Sequence, residues 1–156
     1  MSTIFADKFK NTSGGNNVKV NELSGIDTAG SITVQGEGTA TTNLQQGLAK
    51  AWISLNGDST SSRDSLNVGS ITDNGVGDYT VVFTNNMGNA NYGVSGACCA
   101  DGSANSTRNI LQINSSAHNA VSAPVANSFR SICIHDGNNV AQDVEYLTLT
   151  AHGDLA

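Results

Sequence analysis

Ser65-Leu66-Asn67-Val68-Gly69-Ser70-Ile71-Thr72-Asp73-Asn74-Gly75-Val76-Gly77-Asp78-Tyr79-Thr80-Val81-Val82-Phe83 is the stretch whose reading sets the fold class. Apolar and polar residues alternate on both sides of Asp73-Asn74-Gly75, the period of a strand with one buried face. Asn-Gly between two such runs marks a hairpin, because both residues tolerate positive φ. The spacing predicts strands over 65–71 and 78–84 with a turn at Asn74-Gly75.

Outward from this hairpin the same rhythm repeats. Runs at 52–55, 90–98, 109–114, 129–134 and 144–151 read as further strands. Asn56-Gly57-Asp58, residues 85–89, Asp101-Gly102-Ser103 and Asp136-Gly137-Asn138 are the turns between them. Seven short strands within residues 51–156 is the density of an antiparallel β-sandwich, so this part reads as an all-β head domain. Its expected core is Trp52, Ile53, Leu66, Val68, Tyr79, Val81, Phe83, Tyr92, Val94, Ile110, Ile132, Ile134, Tyr146 and Leu149.

Residues 1–50 differ from the head. Their four lysines balance four acidic residues, whereas residues 51–156 carry eight Asp and one Glu against three Arg, the whole net charge of −6. Alternation is confined to Val18-Lys19-Val20-Asn21-Glu22-Leu23 and Ser31-Ile32-Thr33-Val34-Gln35, with Gly- and Asn-rich turns around them. Two narrow strands with one apolar row each cannot build a core of their own. A slender N-terminal β-stem, intertwined with two further copies about a three-fold axis, resolves that insufficiency; docking on another protein is the alternative. The stretch 41–52 reads as a short helix capped by Thr42 or Asn43, with Leu44 and Leu48 on one face and Gly47 weakening its middle. The residues expected at the oligomer interface are Val18, Val20, Leu23, Ile32, Val34, Leu44 and Leu48.

Composition narrows the functional classes. Asn (19), Ser (18), Thr (14) and Gly (17) make up nearly half of the 156 residues, which disfavours helix, and a single Pro argues against a disordered chain. Seven basic residues against thirteen acidic ones make nucleic acid a poor partner. No run approaches the roughly 18 apolar residues of a membrane span, and the N-terminus lacks a signal-peptide core. Cys98, Cys99 and Cys133 do not make a disulfide framework or a zinc set, and read as thiols of a reducing compartment, with a strained vicinal Cys98–Cys99 bond as the alternative. His118, His135 and His152 sit in no hydrolase or metalloprotease motif, so no catalytic residue is assigned and no cofactor or metal is expected. Asp73-Asn74-Gly75-Val76-Gly77-Asp78 lacks calcium-loop spacing and reads as a turn. A carbohydrate site built on Tyr79, Tyr92 or Trp52 stays open, each ring also being a core candidate.

Beyond the hairpin itself, 48–57 (Leu48-Ala49-Lys50-Ala51-Trp52-Ile53-Ser54-Leu55-Asn56-Gly57), Asn89-Ala90-Asn91-Tyr92 and the ending Val144-Glu145-Tyr146-Leu147-Thr148-Leu149-Thr150-Ala151-His152-Gly153-Asp154-Leu155-Ala156 form a pattern. Together with 65–83 it resembles a module of tailed-bacteriophage virion proteins, notably those of phages of marine and freshwater bacteria. Lys19-Val20-Asn21-Glu22-Leu23 followed by Gly30-Ser31-Ile32-Thr33-Val34 is similar to the N-terminal part of the same proteins. The resemblance spans most of the chain, and the adjacent Cys98-Cys99 departs from it. It implies a non-enzymatic homotrimer on the virion surface, assembled in the host cytoplasm. Its N-terminal stem would hold capsid or tail proteins, as a tail fibre, a spike or a capsid decoration protein. A host surface glycan is the further partner it suggests.

Overall fold

The computed structural model describes residues 22, 32–35, 39–99, 109–116 and 120–156. The described residues are all-β apart from one helical turn, and every strand pairing is antiparallel. A small hairpin comes first, from β1 (Thr33–Gln35) and β2 (Thr41–Asn43), followed by the turn α1 (Leu44–Gly47). Then come β3 (Ala51–Asn56), β4 (Ser61–Leu66), β5 (Val68–Gly75), β6 (Asp78–Phe83) and β7 (Gly93–Cys98). The chain continues through β8 (Asn109–Ile113), β9 (Ser115–Ser116), β10 (Ala120–Val121), β11 (Ser128–His135), β12 (Val140–Ala141) and β13 (Leu147–His152).

Two larger sheets carry the core. One has the order β4-β3-β13-β7. In the other, β11 takes β8 along one edge, and β6 followed end to end by β12 along the other, with β5 outside β6. The period of two decides which side chains go inward. Ala51, Ile53 and Leu55 of β3 are buried, and so are Leu147, Leu149 and Ala151 of β13. From the other sheet come Tyr79, Val81 and Phe83 of β6 with Phe129 and Cys133 of β11, and both rows meet in one apolar cluster. Burying each large side chain of this kind contributes about 1.5–3 kcal/mol. Phe83, Tyr92 and Phe129 close one part of it with ring centroids 5.5–6.5 Å apart, Tyr92 meeting both phenylalanines edge to face and the two phenylalanines tilted against each other.

Several expected core residues lie elsewhere. Leu66, Ile110 and Tyr146 are about half exposed. Trp52 is half-buried on the outer face of β3, because its neighbour Ile53 points inward and successive strand residues cannot share a side. Leu55, Met87, Phe129, Cys133, Val144 and Leu147 are core residues that the alternation reading missed.

The single strand expected over 65–71 is two strands in different sheets. Asn67, at φ 56°, makes the corner between β4 and β5. Its side-chain oxygen accepts from the Asn85 N–H at 2.7 Å, and its amide donates to the carbonyls of Lys50 and Asn85, both at 3.0 Å. One polar side chain thereby ties the entry of β3 to the exit of β6.

The β5–β6 hairpin exists, but its turn is Val76-Gly77, two residues beyond Asn74-Gly75, since Gly75 is paired with Asp78. Gly77, at φ 67°, donates its N–H to Asp143 Oδ1 at 2.6 Å, and its carbonyl accepts from the Cys133 N–H at 2.8 Å. The same Asp143 oxygen accepts from the Tyr79 hydroxyl at 2.8 Å, while the Gly57 N–H donates to the next carbonyl, Val144, at 2.8 Å. Segment 142–144 therefore clamps the turn of one sheet to the end of β3 in the other.

The helix expected over 41–52 is reduced to the single turn α1. Thr41–Asn43 pairs with β1 instead, and from Ala51 onward the chain is the inner strand β3. Gly47 offers little helical preference to resist these long-range pairings.

Candidate functional site

The N-terminal hairpin is where the described structure meets the interface residues expected from sequence. Its register pairs Thr33 with Asn43, Val34 with Thr42 and Gln35 with Thr41. The Leu44 N–H donates to the Ile32 carbonyl at 2.8 Å, so the ladder runs one step further before α1 begins. In that register Ile32, Val34 and Leu44 fall on one face, with Thr42 as the polar member of the row. Leu48 follows α1, where the Lys50 ammonium donates to its carbonyl at 2.8 Å. Val34 is 47% exposed and Leu48 56%, whereas Ile32 and Leu44 are half-buried. Val18, Val20 and Leu23 lie outside the described residues.

Two strands of three residues cannot hold such a face against water by themselves. The arrangement suits association through van der Waals contact, and no ionisable side chain stands in the row 32, 34, 42, 44.

The head is different in character. Asp58, Asp64, Asp73, Asp136, Glu145 and Asp154 are exposed, giving an acidic outer surface. Among the described residues the buried carboxylate is Asp78, held in a two-point fork by Arg130 (Nε to Oδ1 2.6 Å, second nitrogen to Oδ2 2.7 Å). Both carboxylates of the 73–78 loop are thus engaged within the protein, Asp78 by Arg130 and Asp73 by the Gly75 N–H at 2.9 Å and the Thr60 hydroxyl at 3.0 Å, while the Asn74 amide donates to Thr80 Oγ1 at 2.9 Å. Among the described residues no group of three or more His, Cys, Asp or Glu is placed to hold a metal ion, and no helix is long and apolar enough to cross a membrane.

The rings considered for a carbohydrate site separate clearly. Tyr79 and Tyr92 are core residues whose hydroxyls are occupied internally, Tyr79 on Asp143 and Tyr92 on the carbonyls of Val125 (3.0 Å) and Ser128 (2.7 Å). Burial pushes Tyr92 up to about 12, and burial reinforced by the neighbouring Asp143 carboxylate drives Tyr79 further in the same direction. Trp52 is on the outer face, and so is Tyr146, whose ring lies 4.1 Å beneath the Arg63 guanidinium. Arg63 also donates to the Glu145 carbonyl at 2.7 Å. Of the histidines, His135 Nδ1 accepts from the Gly137 N–H at 3.1 Å within the β11–β12 turn and His152 is exposed on β13, while His118 lies outside the described residues. The three cysteines are free thiols, Cys133 fully buried and Cys98 and Cys99 half-buried.

Comparison with protein-family models, with curated proteins and with solved structures gives no match to this chain.

Proposed function

We propose that this chain is a non-enzymatic surface protein of a tailed-phage virion, of the spike or fibre type, that works as a homotrimer. Its N-terminal segment joins the three chains and holds the capsid or tail, and its β-sandwich head faces outward. The observation that carries the reading is the apolar row Ile32, Val34 and Leu44, with Leu48 beside it, on a hairpin too small to cover it. The sequence resemblance to phage virion proteins supplies the setting, and the acidic, hydroxyl-rich head suits a surface whose stability owes little to screened ion pairs. Assembly takes place in the bacterial cytoplasm, where the three thiols stay reduced.

Light scattering after size exclusion tests the assembly. The full chain is expected at three times its 16.0 kDa mass, and the double substitution Val34→Asp/Leu48→Asp at the mass of one chain with an unchanged β-type circular dichroism spectrum. Both residues are exposed in the single chain, so the substitutions spare its core. A full chain that runs as a monomer, or a trimer indifferent to the double substitution, overturns the assignment of this face.

A further inference from the structure

Cys98 and Cys133 are far apart in sequence and lie in different sheets, yet the fold brings them together. Cys98 ends β7, paired with Leu147 at the edge of the four-stranded sheet. Val94, Gly96 and Cys98 share the inward face of β7 by alternation, and Val94 and Cys98 pack against the core. Cys133 lies in β11 of the other sheet, opposite Leu111 of β8. At Gly96 the two sheets are in close approach: a β-carbon there would stand 2.9 Å from Leu111 Cδ2. The next inward position along β7 is Cys98, which packs against the cluster that holds Cys133, and the two thiols are close enough to bias each other's ionisation.

Cys99 is turned to other partners. Its sulfur accepts from the Tyr146 N–H at 3.2 Å, its N–H donates to the Tyr146 carbonyl at 2.9 Å, and its carbonyl accepts from Asn109 at 2.8 Å.

We propose that Cys98 and Cys133 form an oxidisable dithiol, and that a low-molecular-weight disulfide such as oxidised glutathione converts it to a disulfide stapling the two sheets together. Half-buried Cys98 is the entry point, and fully buried Cys133 resolves. The Cys98 thiolate attacks one sulfur of the small disulfide, whose S–S bond breaks and releases one small thiolate, leaving a mixed disulfide on Cys98. Cys133 then gives up its proton and attacks the Cys98 sulfur, expelling the second small thiolate. The protein dithiol loses two electrons and two protons, and one small disulfide becomes two small thiols. Their mutual influence sets this order, since the neighbouring Cys133 lowers Cys98, while Cys98 and its own burial raise Cys133.

The test uses the reduced full chain incubated with oxidised glutathione, followed by alkylation and trypsin. Cleavage after Arg63, Arg108 and Arg130 leaves Cys98 and Cys99 in one peptide (64–108) and Cys133 in another (131–156), so the bond is read directly as mass. The expected product is these two peptides joined, with Cys99 alkylated. Closing a loop of this length should raise the melting temperature by on the order of 10 °C, reversed by dithiothreitol. Cys133→Ala should instead stop at a stable glutathione adduct on Cys98, and Cys99→Ala should oxidise like the parent. A Cys98–Cys99 bond within peptide 64–108, a persistent glutathione adduct on the parent chain, or three thiols left unoxidised would each overturn the proposal.

Discussion

Gly77→Ala is expected to lower stability by about 3–5 kcal/mol, enough to leave a small domain barely folded. Two effects add at this position. At φ 67° a β-carbon is in the left-handed region, which costs an ordinary residue about 1–3 kcal/mol. That carbon would also stand 2.5 Å from the Gln142 carbonyl oxygen, 2.7 Å from that of Cys133 and 2.8 Å from the Gln142 nitrogen. All three are backbone atoms of β11 and of the segment after β12, so relief requires moving strands and not a side chain. The shift would also break the Asp143 and Cys133 hydrogen bonds that Gly77 makes. Gly75→Ala is the matched control: φ is 130°, but nothing stands within 4 Å of the added carbon. Urea unfolding of the two variants separates the terms. If they lose stability equally, the close approach of the turn to 142–144 does not hold the hairpin.

Alkali is expected to unfold the head chiefly through its buried phenols, whose share of the fall in stability sets in near pH 10. An unfolded tyrosine titrates near 10, whereas Tyr92 is pushed up to about 12 and Tyr79 is raised further. The unfolded chain therefore releases these protons first. The stability these phenols hold is fully present below pH 10 and drains as pH rises, until each folded pKa is passed, while the buried Cys133 thiol, raised from 9.0, starts a smaller decline one unit lower. Each phenol removes about 1.4 kcal/mol per pH unit in that window, so the pair removes about 5 kcal/mol by pH 12. Denaturant midpoints measured from pH 9 to 12 under reducing conditions, alongside phenolate absorbance, check this. Tyr92→Phe should lose stability at pH 8, because the carbonyls of Val125 and Ser128 lose their donor, yet show a shallower decline above pH 10. An undiminished slope in Tyr92→Phe would mean that alkaline unfolding starts elsewhere.

What the sequence made legible follows from which interactions are local. β6, β11 and β13 were readable because alternation is a property of neighbouring residues, and the β5–β6 turn was readable within two residues. The corner at Asn67 was hidden for the opposite reason. Leu66 and Val68 keep the period of two across it, and only the bonds from Asn67 to Lys50 and Asn85 reveal a change of sheet. Trp52 was assigned to the core beside Ile53, although a strict period of two would have sent it outward. Tyr146 is outside because Arg63, some eighty residues earlier, lies over its ring. At the candidate site, the sequence nominated Ile32, Val34 and Leu44, but placed Leu44 on a helix with Leu48. The structure joins Leu44 to Ile32 through the extended β1–β2 ladder, a partnership set by hairpin register. The meeting of Cys98 with Cys133 depends on how one sheet sits over the other, for which the spacing of cysteines along the chain carries no signal.

The virion assignment is tested most directly on the particle. Antibody raised against the purified chain, with gold-labelled secondary antibody, is applied to intact tailed-phage particles purified from the culture that produces the chain, and peptides are identified from the same gradient-purified particles. The account predicts gold on the outer surface and recovery of peptides from the head, residues 51–156, in multiples of three copies per particle. Particles that carry neither label nor peptide, with the chain recovered only from the soluble host lysate, would contradict it.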